Sequence, residues 1–187
     1  MKAPQGTLLA LSLVLAACGS RPNTGAEAAL AESDIAELAA GERCPLTAPP
    51  SPAFVPPNPW PAKPPFGRVS GGGQPAEVSW FWVGTPGLWT ALPADGRWAQ
   101  LALGEKFWFW SQEFDVQQEP EPGLRLTATR LDAAAPSVEI DNATNGYHPS
   151  FHWAMLAGVE LPAPGCWQIE ASYRGHQLRL VVDVPAS

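Results

Sequence analysis

Basic residues are scarce in this chain, and charged residues of either sign are few. Lysine and arginine number 11 against 18 aspartates and glutamates, the formal net charge is −7, and only 16% of the residues are charged. Nucleic acids and anionic lipid surfaces attract proteins through basic patches. The composition therefore predicts no nucleic-acid partner and no attachment to a membrane through charge.

Long apolar runs are also missing. The longest mainly apolar stretch runs from Leu8 to Ala17, about half of the roughly 20 residues that a helix needs to cross a bilayer. It follows a short segment with one lysine, Lys2, and ends in small residues, which is the pattern of an export signal peptide. We therefore predict that residues 1–17 are a signal peptide and not a permanent transmembrane anchor.

A cysteine follows this stretch directly. Leu15-Ala16-Ala17-Cys18 resembles the lipobox of bacterial lipoproteins, in which the cysteine sulfur receives a diacylglyceryl group before cleavage. The resemblance implies lipidation of Cys18, and acyl chains would hold the protein at a membrane with roughly 0.8 kcal/mol for each buried methylene. The alternative is an ordinary signal-peptidase site that happens to precede a cysteine.

Lipidation would place the protein in the cell envelope. Gly19 occupies the position where an aspartate usually directs Gram-negative lipoproteins to the inner membrane. We therefore expect the outer membrane in a Gram-negative cell, and otherwise the outer face of the cell membrane.

Only two cysteines remain besides Cys18. Cys44 and Cys166 form an even pair in a chain predicted to enter an oxidising compartment, which favours a disulfide between them. Two free thiols are the alternative. Neither cysteine has another cysteine or a histidine at ligand spacing nearby, so we predict no metal at either.

Tryptophan, proline and glycine are abundant. The chain has 9 Trp, 22 Pro and 17 Gly, a composition that hinders long helices and favours short strands and tight turns. Runs of strand-forming residues, separated by Gly- and Pro-containing turns, occupy 77–83, 87–92, 106–110, 123–130, 137–140, 155–161, 166–173 and 177–184. This pattern predicts an all-β domain of two packed antiparallel sheets.

The rest of the chain divides around that domain. Residues 18–43 are polar and Ala-rich and are predicted to form a flexible tether, in part a short helix. Residues 44–66 are extended because proline dominates them, and Phe54 and Trp60 favour an arm strapped along the domain over a free linker. The domain itself is assigned to residues 67–187.

Two of the predicted strands carry aromatic residues on both faces. Successive side chains of a strand point to opposite sides, so this holds for 80–83 and for 107–110. Exposed aromatics for a ligand are one interpretation. We favour the other, in which the Pro-rich arm covers the second face through Phe54 and Trp60.

Several local sequences resemble those of a group of uncharacterised bacterial lipoproteins and secreted proteins. They are Cys44-Pro45 before the Pro-rich arm, residues 84–92 and 142–148, and Gly165-Cys166-Trp167 before a closing hairpin. The likeness covers most of residues 44–184. It implies an antiparallel immunoglobulin-like β-sandwich and a Cys44–Cys166 pair, but no activity. An immunoglobulin domain has a Tyr two residues before its second Cys, and this chain has Pro164 there.

The segment from Asp141 to Trp153 is predicted to be irregular and is the candidate ligand site. It is too polar for a core, yet it holds Asn145, Tyr147, His148, His152 and Trp153, and loops at the ends of a sandwich often carry function. The alternative is that Asn145 only turns the chain while Trp153 plugs the end of the sandwich. The spacing of the two histidines would suit a metal on a helix, but the intervening proline argues against one.

No catalytic constellation stands out, and no cofactor is predicted. The histidines lack the surroundings of a nucleophile elbow, the carboxylates offer many pairings without a distinguished one, and the glycine run at 71–73 precedes no helix. We therefore expect a membrane-anchored envelope lipoprotein that serves as a non-catalytic binding or assembly module, with a glycan or another envelope protein as its partner. An envelope hydrolase with an unrecognised site is the alternative.

Overall fold

The computed structural model describes residues 42–66, 79–98 and 105–186. The predicted signal peptide, Cys18 and nearly all of the predicted tether lie outside these residues. The described residues form nine β-strands: β1 Trp80–Thr85, β2 Leu88–Pro93, β3 Glu105–Trp110, β4 Arg125–Arg130, β5 Val138–Ile140, β6 Thr144–His148, β7 His152–Val159, β8 Gly165–Tyr173 and β9 His176–Val184. None of this part of the chain is helical, so it holds no helix that could cross a membrane.

The strands form two antiparallel sheets. Sheet I has the order β1-β2-β3-β7-β6, and sheet II has the order β5-β4-β8-β9. The prediction of an all-β domain with two antiparallel sheets is confirmed. The closing hairpin pairs β8 with β9 over their whole length, from Gly165 opposite Val184 to Tyr173 opposite His176. Gly175 makes its turn with a φ of 83°, a backbone conformation that glycine adopts without a steric penalty.

The main core lies between the two sheets. Along β8 the alternate residues Trp167, Ile169, Ala171 and Tyr173 are buried and pack against inward-facing residues of β3 and β7. Phe107 and Phe109 of β3 face this core with their rings stacked at 4.8 Å. The apolar face of β8 therefore positions sheet II against sheet I.

A second cluster of aromatic side chains covers the outer face of sheet I. Trp82, Trp89 and Trp110 point away from the main core and are buried beneath the Pro-rich arm. The arm residues Phe54, Trp60 and Phe66 pack on this cluster. The arm therefore covers the second face of β1 and β3, which explains why 80–83 and 107–110 carry aromatic residues on both sides.

Indole hydrogen bonds fasten the arm to that face. Trp82 Nε1 donates to the carbonyl of Pro61 at 2.9 Å, and Trp60 Nε1 donates to the carbonyl of Phe151 at 3.1 Å. The ring of Phe66 lies 5.1 Å from that of Trp80 and 5.2 Å from that of Phe151. Rings and indole N–H groups thus hold the arm, and within the described part of the chain no ladder of backbone hydrogen bonds joins it to sheet I.

The start of the arm is fixed covalently to sheet II. Cys44 and Cys166 form a disulfide with a Cα–Cα distance of 5.6 Å, as predicted. Next to it, the Thr47 amide donates to the Val181 carbonyl at 2.9 Å, and the Val181 amide donates to Thr47 Oγ1 at 2.7 Å. Cys166 lies on the face opposite the main core, so the bridge secures the arm to the outside of β8 and does not join the two sheets internally.

One prediction about the backbone was wrong. The segment from Asp141 to Trp153 is not irregular, because Thr144–His148 forms β6 and pairs with β7 from Thr144 opposite Leu156 to His148 opposite His152. A three-residue connection, 149–151, joins the strands, and the Phe151 amide donates to the His148 carbonyl at 3.2 Å. Asn and Gly are disfavoured in strands, yet pairing with a buried neighbouring strand overrides that preference here.

Candidate functional site

The hairpin formed by β6 and β7 carries all five candidate ligand-binding residues, but on two faces. Its register sets Tyr147 opposite Trp153 and His148 opposite His152. Since successive residues alternate between faces, Asn145, Tyr147 and Trp153 share the face of Met155, which points to the main core. The two histidines share the face that the arm covers. The five side chains therefore do not converge on one pocket.

The histidine side of the hairpin is engaged in packing. The ring of His148 stacks on that of Phe151 at 4.1 Å, and its Nδ1 accepts a hydrogen bond from the Ser150 amide at 3.1 Å. The ring of His152 lies 6.5 Å from that of Trp60. Within residues 42–66, 79–98 and 105–186, no three side chains of His, Cys, Asp or Glu are grouped so that they could hold a metal ion.

The opposite side of the hairpin presents two exposed rings, Tyr147 and Trp153, called the aromatic pair below. Tyr147 is 55% exposed and Trp153 is 41% exposed, and their ring centroids lie 5.3 Å apart at an interplanar angle of 55°. All the Trp, Phe and Tyr residues of the chain lie in the described residues, and these two are the ones that are exposed. The other aromatic side chains are buried or partly buried, whereas these two neighbouring rings lie in water.

A neighbouring loop holds the aromatic pair's strand in place. Asn145 Nδ2 donates to the carbonyl of Pro120 at 2.5 Å, which ties β6 to the loop 111–124. That loop is anchored in turn by Glu119, whose carboxylate accepts hydrogen bonds from the Gly123 amide at 2.7 Å and from the Tyr173 hydroxyl at 2.8 Å. Arg174 adds an ion pair with the same carboxylate at 2.7 Å.

The Glu119 contacts shift the titration of two groups. Burial by itself raises the pKa of Glu119, but the Gly123 amide, the Tyr173 hydroxyl and the Arg174 guanidinium outweigh it, so that the net pKa is lowered. The pKa of Tyr173 is raised, chiefly by burial and then by its hydrogen bond to Glu119. Glu119 is thus held ionised and Tyr173 protonated, which keeps this link between the loop and the β8–β9 turn charged and hydrogen-bonded. Sequence analysis did not single out these residues, because no local pattern brings Glu119 to the end of β8.

A concave surface lies near the start of β6, away from Tyr147. This acidic cavity, of about 450 Å³, lies between the edge of sheet II and the end of β7, and it is lined by Val138, Glu139, Ile140, Asp141, Asn142, Gly158, Glu160 and Pro162. Three carboxylates and no Lys or Arg are among the lining residues. Asp141 and Glu160 are exposed, and no hydrogen bond or ion pair engages either carboxylate within the described residues.

Contacts of the histidines do not assemble a hydrolase site in the described part of the chain. His176 Nε2 lies 2.7 Å from Glu113 Oε1, while His148 contacts the backbone of Ser150 and not its hydroxyl. A Ser–His–carboxylate triad needs the hydroxyl of the nucleophile next to the imidazole. These polar contacts hold loops in place and assemble no such triad.

Comparison with known proteins gives no further guide to this site. No protein-family model matches the chain, and neither curated proteins nor solved structures give a significant match. The likeness to uncharacterised bacterial lipoproteins therefore stays a resemblance.

Proposed function

We propose that this protein is a lipid-anchored lipoprotein of the cell envelope whose immunoglobulin-like β-sandwich is a non-catalytic binding module. The anchor rests on the sequence from Leu15 to Cys18. The binding role rests on the exposed aromatic pair. Glycans and other envelope proteins are the ligand classes considered, and no observation favours the alternative of an envelope hydrolase.

Strand order supports the immunoglobulin-like assignment. In constant-type immunoglobulin domains, strands A, B, E and D form one sheet in that order, and strands C, F and G form the other. Here β2-β3-β7-β6 follows the first order and β4-β8-β9 follows the second, with β5 beside β4 and β1 as an additional edge strand. The strand order does not depend on the cysteines, which join the arm to β8 and form no bridge between the sheets.

The exposure of Tyr147 and Trp153 is the single observation that carries the binding role. Aromatic rings supply a large contact area and lose little conformational entropy when they bind. Cross-strand partners on a paired hairpin are also held at a fixed distance. A rigid pair of exposed rings, on a domain whose other aromatic side chains are buried or partly buried, is therefore better suited to recognition than to packing.

A binding screen tests this role directly. We expect the full-length protein, kept in detergent, to bind at least one member of a panel of soluble glycans, peptidoglycan fragments and synthetic peptides, and we expect the double substitution Tyr147→Ala/Trp153→Ala to weaken that binding at least tenfold. Val55→Ala is the matched control, because Val55 is 57% exposed and lies on the arm, outside the hairpin. Circular dichroism should show that both variants are folded. Binding that survives the double substitution, or no binding to any probe, contradicts the proposal.

The lipid anchor has its own test. In cells that process lipoproteins, we expect the wild-type protein to incorporate an acyl probe and to sediment with membranes, and Cys18→Ala to lose both properties because the only proposed acylation site is gone. Ser20→Ala is the control, since it changes a neighbouring residue and leaves the cysteine. A wild-type protein without acyl label, or a Cys18→Ala variant that stays in the membrane fraction, would rule the anchor out.

A further inference from the structure

We propose that the free edge of β6 binds an extended, basic polypeptide segment as an added strand. Apolar side chains of the segment would pack on the aromatic pair, and a Lys or Arg side chain would enter the acidic cavity. This inference rests on the proposed function, because it uses the same aromatic pair and names the class of ligand.

The first support is the position of β6 in its sheet. β6 is the last strand of sheet I, and among the described strands it pairs only with β7. An edge strand presents a row of backbone N–H and C=O groups that a partner strand can pair with. The edge of β9 is already engaged, because the Asp183 amide donates to the Gly96 carbonyl at 3.0 Å and the Trp98 amide donates to the Asp183 carbonyl at 2.8 Å. β5 has three residues and is too short to bind an added strand along its free edge.

The second support is the combination of this edge with exposed rings. Tyr147 lies in β6 itself, and Trp153 lies directly opposite it on β7. A strand added beside Tyr147 would place every second side chain on the face of the aromatic pair. The backbone would thus supply affinity and the rings would select apolar side chains. No other edge of the described sheets carries an exposed aromatic residue.

The acidic cavity indicates the charge of the ligand. Thr144, the first residue of β6, pairs with Leu156 of β7. Gly158, which lines the cavity, comes two residues after Leu156 and therefore lies just beyond the start of β6. Asn142, also in the lining, is five residues before Tyr147, so an extended strand covers the distance from cavity to ring in roughly 17 Å. A segment along β6 can therefore reach both features at once. Asp141 and Glu160 have no cationic partner in the described residues, and the whole chain is acidic, so a basic side chain is the complementary one.

Synthetic peptides of about ten residues, long enough to pair with an average strand, test the inference. One peptide alternates lysine with valine or threonine, a second replaces each lysine by glutamate, and a third carries N-methyl groups on alternate amides of the first. We expect the lysine peptide to bind the full-length protein, with at least tenfold weaker binding by the glutamate peptide because of repulsion. The N-methylated peptide should be weakened as strongly, because it cannot donate to the edge of β6.

Conservative variants of the protein complete the test. Asp141→Asn and Glu160→Gln should each weaken the lysine peptide several-fold and reduce the salt dependence of its binding. Asp95→Asn, which removes one exposed carboxylate from the turn after β2, should not. Lysine-peptide binding that is insensitive to N-methylation, or to both cavity substitutions, overturns strand addition. If instead a glycan binds through the aromatic pair and no peptide does, the proposed function stands and this inference falls; if neither binds, both fall.

Discussion

Removing the Cys44–Cys166 bridge should lower the free energy of unfolding by about 2 to 5 kcal/mol. The two cysteines are 122 residues apart in sequence, so the bridge closes a loop that includes nearly the whole described domain. Such a closure restricts the unfolded chain and thereby stabilises the native state, although the split between entropy and enthalpy is model-dependent. The loss should be measured by chemical denaturation of the Cys44→Ala/Cys166→Ala variant, followed by tryptophan fluorescence.

Two measurements make this expectation falsifiable. Thiol titration of the denatured, unreduced wild-type protein should find neither Cys44 nor Cys166 free, and reduction should lower the denaturation midpoint of the wild type but not that of the double variant. Equal midpoints for the oxidised wild type and the double variant would show that the bridge contributes nothing to stability. Alanine is the better replacement because Cys166 is buried, and an unpartnered hydroxyl there would add its own cost.

The parts of the fold that the sequence predicts are those in which one face of a strand differs chemically from the other. Along 166–173, apolar residues alternate with Gln168, Glu170 and Ser172, and the apolar set from Trp167 to Tyr173 is the one that faces the main core of the structure. Where both faces of a strand are aromatic, as in 80–83 and 107–110, the pattern indicates that each face packs against other residues, but it does not show which residues these are. The prolines before Trp60 indicated what covers the second face, because an extended segment with aromatic residues can lie flat on a sheet.

β6 was missed for a physical reason. The sequence Thr-Asn-Gly-Tyr-His has low strand propensity and does not alternate in polarity. Its conformation is set by pairing with β7 and by the hydrogen bond from Asn145 to Pro120, which is 25 residues away in sequence. Neither contact leaves a local trace, so only the tertiary structure reveals the edge strand.

The candidate site shows the same limit. Composition drew attention to Tyr147 and Trp153, but their shared face follows from the register of the hairpin, and a shift of one residue would have paired other side chains. His148 and His152 belong to the same stretch of sequence and fall on the other face. Grouping residues by proximity in sequence therefore selected the segment that carries the two exposed rings, but it could not tell which face of the hairpin presents them.

Replacing Trp110 by alanine should lower the free energy of unfolding by about 3 to 5 kcal/mol, the usual range for a buried tryptophan. Its side chain is 1% exposed, its ring packs against Trp82 at 5.2 Å and Phe151 at 5.4 Å, and its Nε1 donates to the Phe151 carbonyl at 3.2 Å. Removing the indole would open a cavity between sheet I and the Pro-rich arm. Phe66 of the arm lies against the Trp110 ring on that side.

A Trp-to-Ala substitution at an exposed position is the control for Trp110→Ala. Trp153→Ala should cost well under half as much, because Trp153 is 41% exposed and substitutions at exposed sites usually change stability little. Both variants should be compared in one denaturant series with circular dichroism as the probe, since each lacks a tryptophan. Equal losses would show that the aromatic pair is part of the core and not a recognition surface. A small loss for Trp110→Ala would contradict the expectation, because it would show that this ring contributes little to the stability of the second aromatic cluster.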